Sequence, residues 1–170
     1  MIKSNRIFVF LLIAMMGCSE NMQKREQKSV TGEITLIENF SSDFIAARNI
    51  SLWLPPEFDE NKKYAVLYMH DGQMLFDSAT TWNKQEWGVD EMVSRLMGKN
   101  RIENVIVAGI WNSDTGRHAD YFPQKPFKSL PQAFQDSLIT EAQRHGESRL
   151  FDGDVRSDDY LKFMVNELKP

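Results

Sequence analysis

The alternation of apolar and polar residues along the chain predicts four β-strands. Residues 32–40 (GEITLIENF) and 44–56 (FIAARNISLWLPP) place apolar side chains at nearly every second position, which is the pattern of half-buried strands. Residues 64–70 (YAVLYMH) and 104–112 (NVIVAGIWN) are apolar almost throughout, as expected of strands covered on both faces of a sheet. We expect the first two segments to form a hairpin-like pair.

Two further segments have the spacing of amphipathic helices. In residues 86–100 (EWGVDEMVSRLMGKN) apolar side chains recur every three or four positions, and Gly98 provides a stop. Residues 157–170 (SDDYLKFMVNELKP) open with a serine and two acids, which favour a helix start, and set five apolar side chains on one face. Residues 113–154 are rich in proline, glycine and charge, so they predict a long irregular excursion with one short helical patch at 133–142.

The order strand, strand, strand, helix, strand, helix predicts an α/β fold in which helices flank a mixed sheet. In open α/β sheets, ligands bind outside the carboxyl ends of the strands. Two polar loops come after the apolar strands, namely residues 70–73 (HDGQ) and residues 111–117 (WNSDTGR). Gly72 permits backbone conformations that other residues resist, so its turn could aim successive N–H groups at an anion.

The first residues of the chain predict export. Two basic residues precede an apolar run at 7–16, which is the layout of a secretory signal and is too short to span a bilayer. Gly17-Cys18 resembles a bacterial lipobox, which predicts a lipoprotein-type signal peptide at 1–17, a lipid on Cys18 and a place in the bacterial cell envelope, anchored to the membrane or in the periplasm. Residues 18–29 (CSENMQKREQKS) are polar and predict a flexible tether. The alternative is an ordinary signal peptide or short anchor with an incidental cysteine.

Composition excludes several classes of protein. The chain has 42% hydrophobic and 26% charged residues, as soluble globular proteins do. Loss of residues 1–17 would leave 18 basic against 24 acidic residues, so nucleic acid is not an expected partner. Cys18 is the only cysteine, which excludes an internal disulfide. His118 and His145 lack metal-ligand spacing with each other or with Cys18, so we expect no metal site and no cofactor.

Five blocks of sequence, in a fixed order, resemble the putative esterase family of α/β-hydrolases, which includes feruloyl, acyl-carbohydrate and siderophore esterases. The blocks are residues 52–77 (LWLPPEFDENKKYAVLYMHDGQMLFD), the pair Trp82 and Trp87, residues 104–112, residues 117–123 (RHADYFP) and residues 160–170 (YLKFMVNELKP). The resemblance extends from about residue 30 to the last residue. It implies an α/β-hydrolase fold and a carboxylic-ester hydrolase that forms a serine acyl-enzyme on acylated carbohydrate, feruloyl or siderophore-like esters.

The resemblance also implies roles for residues of the two loops. In such enzymes the loop after the third strand supplies an oxyanion-hole N–H, which here falls on Gly72 and Gln73. Substrate-binding roles fall on four residues, His70, Asp71, Arg117 and Tyr121. Structural roles stay open beside these. His70 could brace its loop by hydrogen bonding, Asp71 could be a turn acceptor, and Arg117, near Asp120 and Tyr121 in sequence, could form a structural ion pair that pins the loop.

The tryptophans near these loops have two interpretations. Trp82, Trp87 and Trp111 could stack on aromatic or sugar rings of a ligand. They could equally pack in the core or at its rim, and we favour packing for Trp87.

One element of the family is missing from the sequence. The family's nucleophile is a serine in a G-x-S-x-G elbow after a fifth strand, with an acid and a histidine later in the chain. The nearest match, residues 146–150 (GESRL), has leucine in place of the second glycine. We therefore interpret residues 30–170 as the N-terminal part of an esterase domain, an incomplete α/β-hydrolase fold that is inactive alone. Its 64–70 strand should then lie at an exposed edge of the sheet.

Two other functions fit the same sequence features. The first is a non-catalytic envelope protein that binds carbohydrate or a siderophore in the same pocket. The second is an acyltransferase on the same fold, which differs only in the acceptor that reaches the acyl-enzyme.

Overall fold

The computed structural model describes residues 24–29, 31–144 and 148–169. Its strands are β1 (Lys24–Ser29), β2 (Gly32–Phe40), β3 (Arg48–Leu54), β4 (Ala65–His70) and β5 (Val105–Ile110). Its α-helices are α1 (Val89–Gly98), α2 (Arg117–Tyr121), α3 (Gln124–Lys128), α4 (Gln132–Glu141) and α5 (Ser157–Phe163). Two 3₁₀ turns lie at Gly72–Met74 and Asp114–Gly116, and a π-helical turn at Met164–Leu168 continues α5.

The five strands form one mixed sheet in the order β1-β2-β3-β5-β4. β1, β2 and β3 are antiparallel neighbours, and β3 is antiparallel to β5. β4 and β5 are parallel, and α1 lies between them in the chain, as the crossover between parallel strands requires. The predicted mixed sheet with flanking helices is confirmed, and so is the antiparallel pairing of the first two predicted strands, which are β2 and β3.

The tether predicted at residues 18–29 is wrong in its last six residues. Lys24–Ser29 form β1, which pairs along its whole length with residues 32–37 of β2. A β-ladder is made of backbone hydrogen bonds, so a polar segment without apolar periodicity can still join the edge of a sheet. The signal peptide, Cys18 and the remainder of the tether lie outside the described residues and stay predictions. No helix within the described ranges is long and apolar enough to cross a membrane.

Two hydrophobic clusters cover the two faces of the sheet. One joins the sheet to α1 and has as its buried members Trp53, Leu75, Val93 and Val107. The other joins the sheet to α5 and has as its buried members Ile45, Ile50, Ile110, Tyr160 and Phe163. Successive side chains of a strand point to opposite faces, so Ile50 and Trp53 of β3 reach opposite clusters. The apolar faces predicted for the two helices cover the sheet only in part, because Met92 of α1, Leu161 of α5 and Val165 of the π-helical turn are exposed.

The excursion at residues 113–154 contains more helix than the sequence predicted. Helix α4 matches the expected patch at 133–142, whereas α2 and α3, with five residues each, are too short to show a helical period in sequence. A third cluster packs this region and consists of Ala119, Phe127, Phe151 and Val155. Because α2 packs on this core, the polar residues Arg117 and Tyr121 at its two ends are held in place.

β4 lies at the end of the sheet and pairs only with β5 within the described residues. Its Val66 and Leu67 are 41% and 43% exposed, so the prediction that both faces of this strand are covered is wrong. The exposed edge expected for an incomplete domain is present. An apolar strand whose outer backbone groups have no strand beside them is a template for pairing with another strand.

Candidate active site

The two candidate loops lie side by side at the carboxyl ends of β4 and β5. β4 and β5 are parallel and end in register, with His70 beside Ile110, so the segments after them leave the sheet at the same edge. A hydrogen bond joins these segments directly, because the backbone N–H of Asn112 donates to Oε1 of Gln73 at 3.2 Å, across 39 positions of sequence. This edge is the place where α/β sheets bind their ligands.

β4 runs directly into the 3₁₀ turn Gly72–Met74. The first hydrogen bond within this turn runs from the Met74 N–H to the Asp71 carbonyl at 2.8 Å. The amides of Gly72 and Gln73 precede that bond, and neither donates to another group in the part of the chain that the structure describes. Unpaired amides at the start of a helical turn are donors for an oxygen that carries negative charge.

Gly72 is needed for a different reason from the one that the sequence suggested. The left-handed conformation at this turn belongs to Asp71, with φ 57°, and Gly72 is not among the described residues with positive φ. A Cβ on Gly72 would lie 2.4 Å from the carbonyl oxygen of Gly109 and 2.8 Å from Cδ1 of Trp111. The turn is therefore seated against the backbone of β5, a contact that only glycine permits.

Asp71 connects the two loops through both oxygens of its carboxylate. Arg117 donates from Nε to Oδ1 at 2.8 Å and from Nη2 to Oδ2 at 2.7 Å, and Asn112 donates from Nδ2 to Oδ1 at 2.7 Å. We call these three residues the Asp71 bridge. The sequence suggested that Asp71 accepts within its own turn, whereas its carboxylate accepts from the neighbouring loop. The structural ion pair that the sequence suggested for Arg117 is present, with Asp71 as its partner.

The Asp71 bridge fixes the ionisation of its own members. Burial would raise the pKa of the Asp71 carboxyl, but hydrogen bonds from Arg117 and Asn112 and the charge of Arg117 outweigh burial and hold that pKa below its ordinary value of 3.8. The bond to Asp71 in turn raises the pKa of Arg117. Asp71 is therefore ionised at neutral pH and carries no proton to donate, so its role is to position the loops.

Asp120 anchors α2 to other elements of the fold through buried ion pairs. Its side chain is fully buried and accepts from Arg48 Nη1 at 3.2 Å, from Arg156 Nε at 2.7 Å and from Ser113 Oγ at 3.0 Å. The two arginines come from β3 and from the residue before α5, so one carboxylate ties α2 to both. Sequence reasoning missed Arg48 and Arg156, because partners so distant along the chain leave no local signal.

His70 and Tyr121 lie on the α5 side of the Asp71 bridge. Nδ1 of His70 is 2.9 Å from Oη of Tyr160, and the His70 ring lies 4.6 Å, centroid to centroid, from the ring of Tyr121. Burial lowers the pKa of His70 by more than Asp71 raises it, and burial raises the pKa of Tyr160. A neutral imidazole that is stacked and hydrogen-bonded in this way agrees with the bracing interpretation of His70.

A cavity of about 410 Å³ opens beside the turn, within the size range of sites for small ligands. We call it the tryptophan cavity, and it is lined by Asp71, Gln73, Met74, Trp82, Asn83, Trp87, Asn112, Asp114, Arg117 and Arg144. Three residues predicted from the sequence, Asp71, Gln73 and Arg117, are in this lining, while Gly72, His70 and Tyr121 are not. A larger cavity of about 570 Å³ lies at the amino ends of β4 and β5, at the opposite end of the strands.

The tryptophans divide between the two interpretations given by the sequence. Trp82 is 86% exposed and Trp87 is 53% exposed, so core packing of Trp87 is wrong. Trp111 donates from Nε1 to Oγ of Ser51 at 2.8 Å, next to the backbone of Gly72, and therefore has a packing role.

Among the described residues, no group of three or more histidine, cysteine, aspartate or glutamate side chains could hold a metal ion.

The segment most similar in sequence to a nucleophile elbow, residues 146–150, is described only from Ser148 onward. The Ser148 carbonyl accepts from the Arg144 N–H at 2.9 Å beside an isolated bridge between Gln143 and Arg149. Ser148 thus lies beside an isolated bridge and outside the five strands of the sheet.

Comparison with known proteins gives a family and two similar structures. The sequence profile of the family described as "Putative esterase" matches residues 41–142. The CE1 ferulic acid esterase from Anaeromyces mucronatus, solved with ferulic acid, is 15% identical, with a TM-score of 0.44 and coverage of 89% of this chain and 46% of that one. The BES protein from Bacillus cereus is 15% identical, with a TM-score of 0.42 and coverage of 87% and 47%. The chain thus spans less than half the length of either protein, and no curated protein compared with it is significantly similar.

Replacement of Gly72 by alanine tests the contact between the turn and β5. The added Cβ meets backbone atoms that cannot move aside, so we expect Gly72→Ala to lower the free energy of unfolding by about 1–3 kcal/mol, measured by urea denaturation. Gly98→Ala is the matched control, because nothing lies within 4 Å of a Cβ at that position. Equal stability of the Gly72→Ala variant and the unmodified protein would contradict the proposed contact.

Replacement of Arg117 by methionine tests the Asp71 bridge. A depressed carboxyl pKa stabilises the fold above the unfolded-state pKa, and that stabilisation is lost as the pH falls through the folded-state pKa. We therefore expect Arg117→Met to be about 1–2 kcal/mol less stable than the unmodified protein at pH 7, and the difference to shrink below pH 3.8.

The matched control for Arg117→Met is Lys162→Met, which removes the exposed ion pair between Lys162 and Asp159 and should change stability little. A deficit in Arg117→Met that stays the same from pH 7 to the acid limit would show that the bridge does not depend on the Asp71 charge.

Proposed function

Because the chain belongs to the putative esterase family, we propose that it forms part of a carboxylic-ester hydrolase that works through a serine acyl-enzyme. Acylated carbohydrates, feruloyl esters or siderophore-like esters are the proposed substrates. Export and a lipid anchor at Cys18 belong to the same proposal, and membrane fractionation of a Cys18→Ser variant checks them.

The observation that carries this proposal is the pair of unpaired amides at Gly72 and Gln73. They begin the turn at the carboxyl end of β4, next to the tryptophan cavity, which Gln73 itself lines. Hydrolysis of an ester requires donors at the oxygen that becomes negative when the carbonyl carbon is attacked. Donors fixed before the substrate arrives are the effective ones, and the Gly72–Gly109 contact and the Asp71 bridge fix this turn.

The proposed reaction proceeds in two steps. A serine hydroxyl adds to the ester carbonyl carbon and passes its proton to a histidine, while the carbonyl electron pair moves to the oxygen that faces Gly72 and Gln73. Collapse of this intermediate expels the alcohol, which takes the proton from the histidine and leaves an acyl-serine. Water then repeats the addition and releases the acid. In this scheme Asp71 and Arg117 transfer no proton and hold the turn in position.

The open edge of β4 supports the proposal that further polypeptide completes the site. Val66 and Leu67 are exposed there, and the outer backbone groups of β4 have no strand beside them within the described residues. A strand added at that edge parallel to β4 would end beside the Gly72–Met74 turn. We propose that the nucleophile elbow comes directly after such a strand, and that residues 30–170 are inactive without it.

A non-catalytic binding protein is the second candidate. It is favoured by the tryptophan cavity, whose lining is in place without a nucleophile. The two candidates differ in the turn that follows the further strand proposed on the open side of β4. An intact G-x-S-x-G in that turn supports the enzyme, and a degenerate elbow supports the binder.

An esterase assay on two proteins tests the proposal. One is this 170-residue chain, and the other is the product of its reading frame continued beyond Pro170. On p-nitrophenyl esters and acylated sugars we expect turnover from the longer protein and none above the buffer rate from the shorter one. The matched control replaces the elbow serine of the longer protein by alanine. Equal rates for the longer protein and its control, or turnover by the shorter chain, would contradict the proposal.

A further inference from the structure

Two tryptophan side chains in the tryptophan cavity are exposed to solvent. Trp82 is 86% exposed and Trp87 is 53% exposed, although indole is among the side chains that gain most from burial. Both belong to the segment between the Gly72–Met74 turn and α1. Their faces are therefore open to a ligand in the same cavity that Gln73 lines.

Hydrogen bonds hold the segment that carries these tryptophans against the turn. The Trp87 N–H donates to the Met74 carbonyl at 2.8 Å, and Oγ1 of Thr80 donates to the Gln73 carbonyl at 2.8 Å. Thr81 of the same segment is buried, and its Oγ1 donates to the Ser78 carbonyl at 2.9 Å. The tryptophans thus stand on a backbone that is fixed relative to the turn, which is the condition for a preorganised binding surface.

Polar groups face the same cavity. Gln73, Asn83 and Arg144 are among its lining residues, and their side chains carry amide and guanidinium groups. Oε1 of Gln73 and Oδ1 of Asn83 accept backbone N–H groups, which leaves the NH₂ group of each amide without an acceptor among the described residues. Amide NH₂ and guanidinium groups donate to hydroxyl oxygens, so the cavity offers stacking surfaces and donors together.

We propose that Trp82 and Trp87 determine specificity by stacking on a hydroxylated six-membered ring of the ligand, while Gln73 and Asn83 donate to its hydroxyl groups. A flat apolar ring would leave these donors unsatisfied, and an open-chain polyol would leave the indole faces uncovered. Two kinds of molecule share the required chemistry, namely a pyranose sugar and a hydroxylated phenyl ring. The proposal rests on the proposed function in that this ring is the part of the ester held beside the Gly72–Met74 turn.

Ligand binding by this chain, without catalysis, tests the proposal. Saturation-transfer NMR and calorimetric titration are carried out with methyl β-xyloside as the sugar and with 4-hydroxycinnamate as the phenol. We expect one or both to bind, and Trp82→Ala and Trp87→Ala each to weaken binding about tenfold. Trp82→Phe keeps a stacking surface and should retain most of the affinity. Binding of the sugar alone or of the phenol alone supports the proposal and identifies the ring.

Phe134→Ala is the matched control, because Phe134 is 53% exposed, as Trp87 is, but lies on α4 outside the cavity lining. It should leave binding unchanged. No binding of either ring, or equal binding by the unmodified protein and both alanine variants, would overturn the proposal. These outcomes are independent of ester hydrolysis, so loss of binding with turnover retained rejects the specificity role alone, whereas binding without turnover in the longer protein rejects the esterase.

Discussion

The ion pair between Asp71 and Arg117 is the interaction on which the candidate site depends. Asp71 adopts a left-handed backbone conformation, which costs about 1 kcal/mol or more for a residue with a side chain. Its carboxylate receives three hydrogen bonds from the next loop, and each contributes about 0.5–1 kcal/mol for a partly exposed ion pair. The bonds therefore exceed the cost of the backbone conformation, and the turn is held with the amides of Gly72 and Gln73 unpaired.

Each side of this ion pair is supported by a different part of the fold. On the β4 side, close contact between Gly72 and Gly109 seats the turn against β5. On the other side, Arg117 begins α2, which Asp120 anchors to Arg48 and Arg156. The first loop is thus fixed by its contact with β5, and the second by the buried ion pairs of Asp120. The cavity beside them therefore has a defined shape before any ligand enters.

The sequence predicted those features that depend on local pattern. The apolar periods of β2–β5, α1 and α5 indicated the mixed sheet, and parallel strands placed the two loops together. Features that depend on distant partners were missed. β1 is polar and joins the sheet by backbone pairing, the partners of Asp120 come from remote segments, and Gly72 is required by its distance to Gly109 and not by its own φ. The exposure of Trp87 was also missed, because an aromatic residue before a helix has the same pattern whether its ring is buried or open.

The measurement that tests the central claim most directly is hydrogen exchange of the amides at positions 72–74, monitored by NMR. We predict that Gly72 and Gln73 exchange rapidly because they have no acceptor, and that Met74 is protected by its bond to the Asp71 carbonyl. We also predict that Met74 loses this protection when Asp71 is replaced by alanine. Amides at Gly72 and Gln73 as strongly protected as that of Met74 would contradict the claim, since they would already be bonded within the protein.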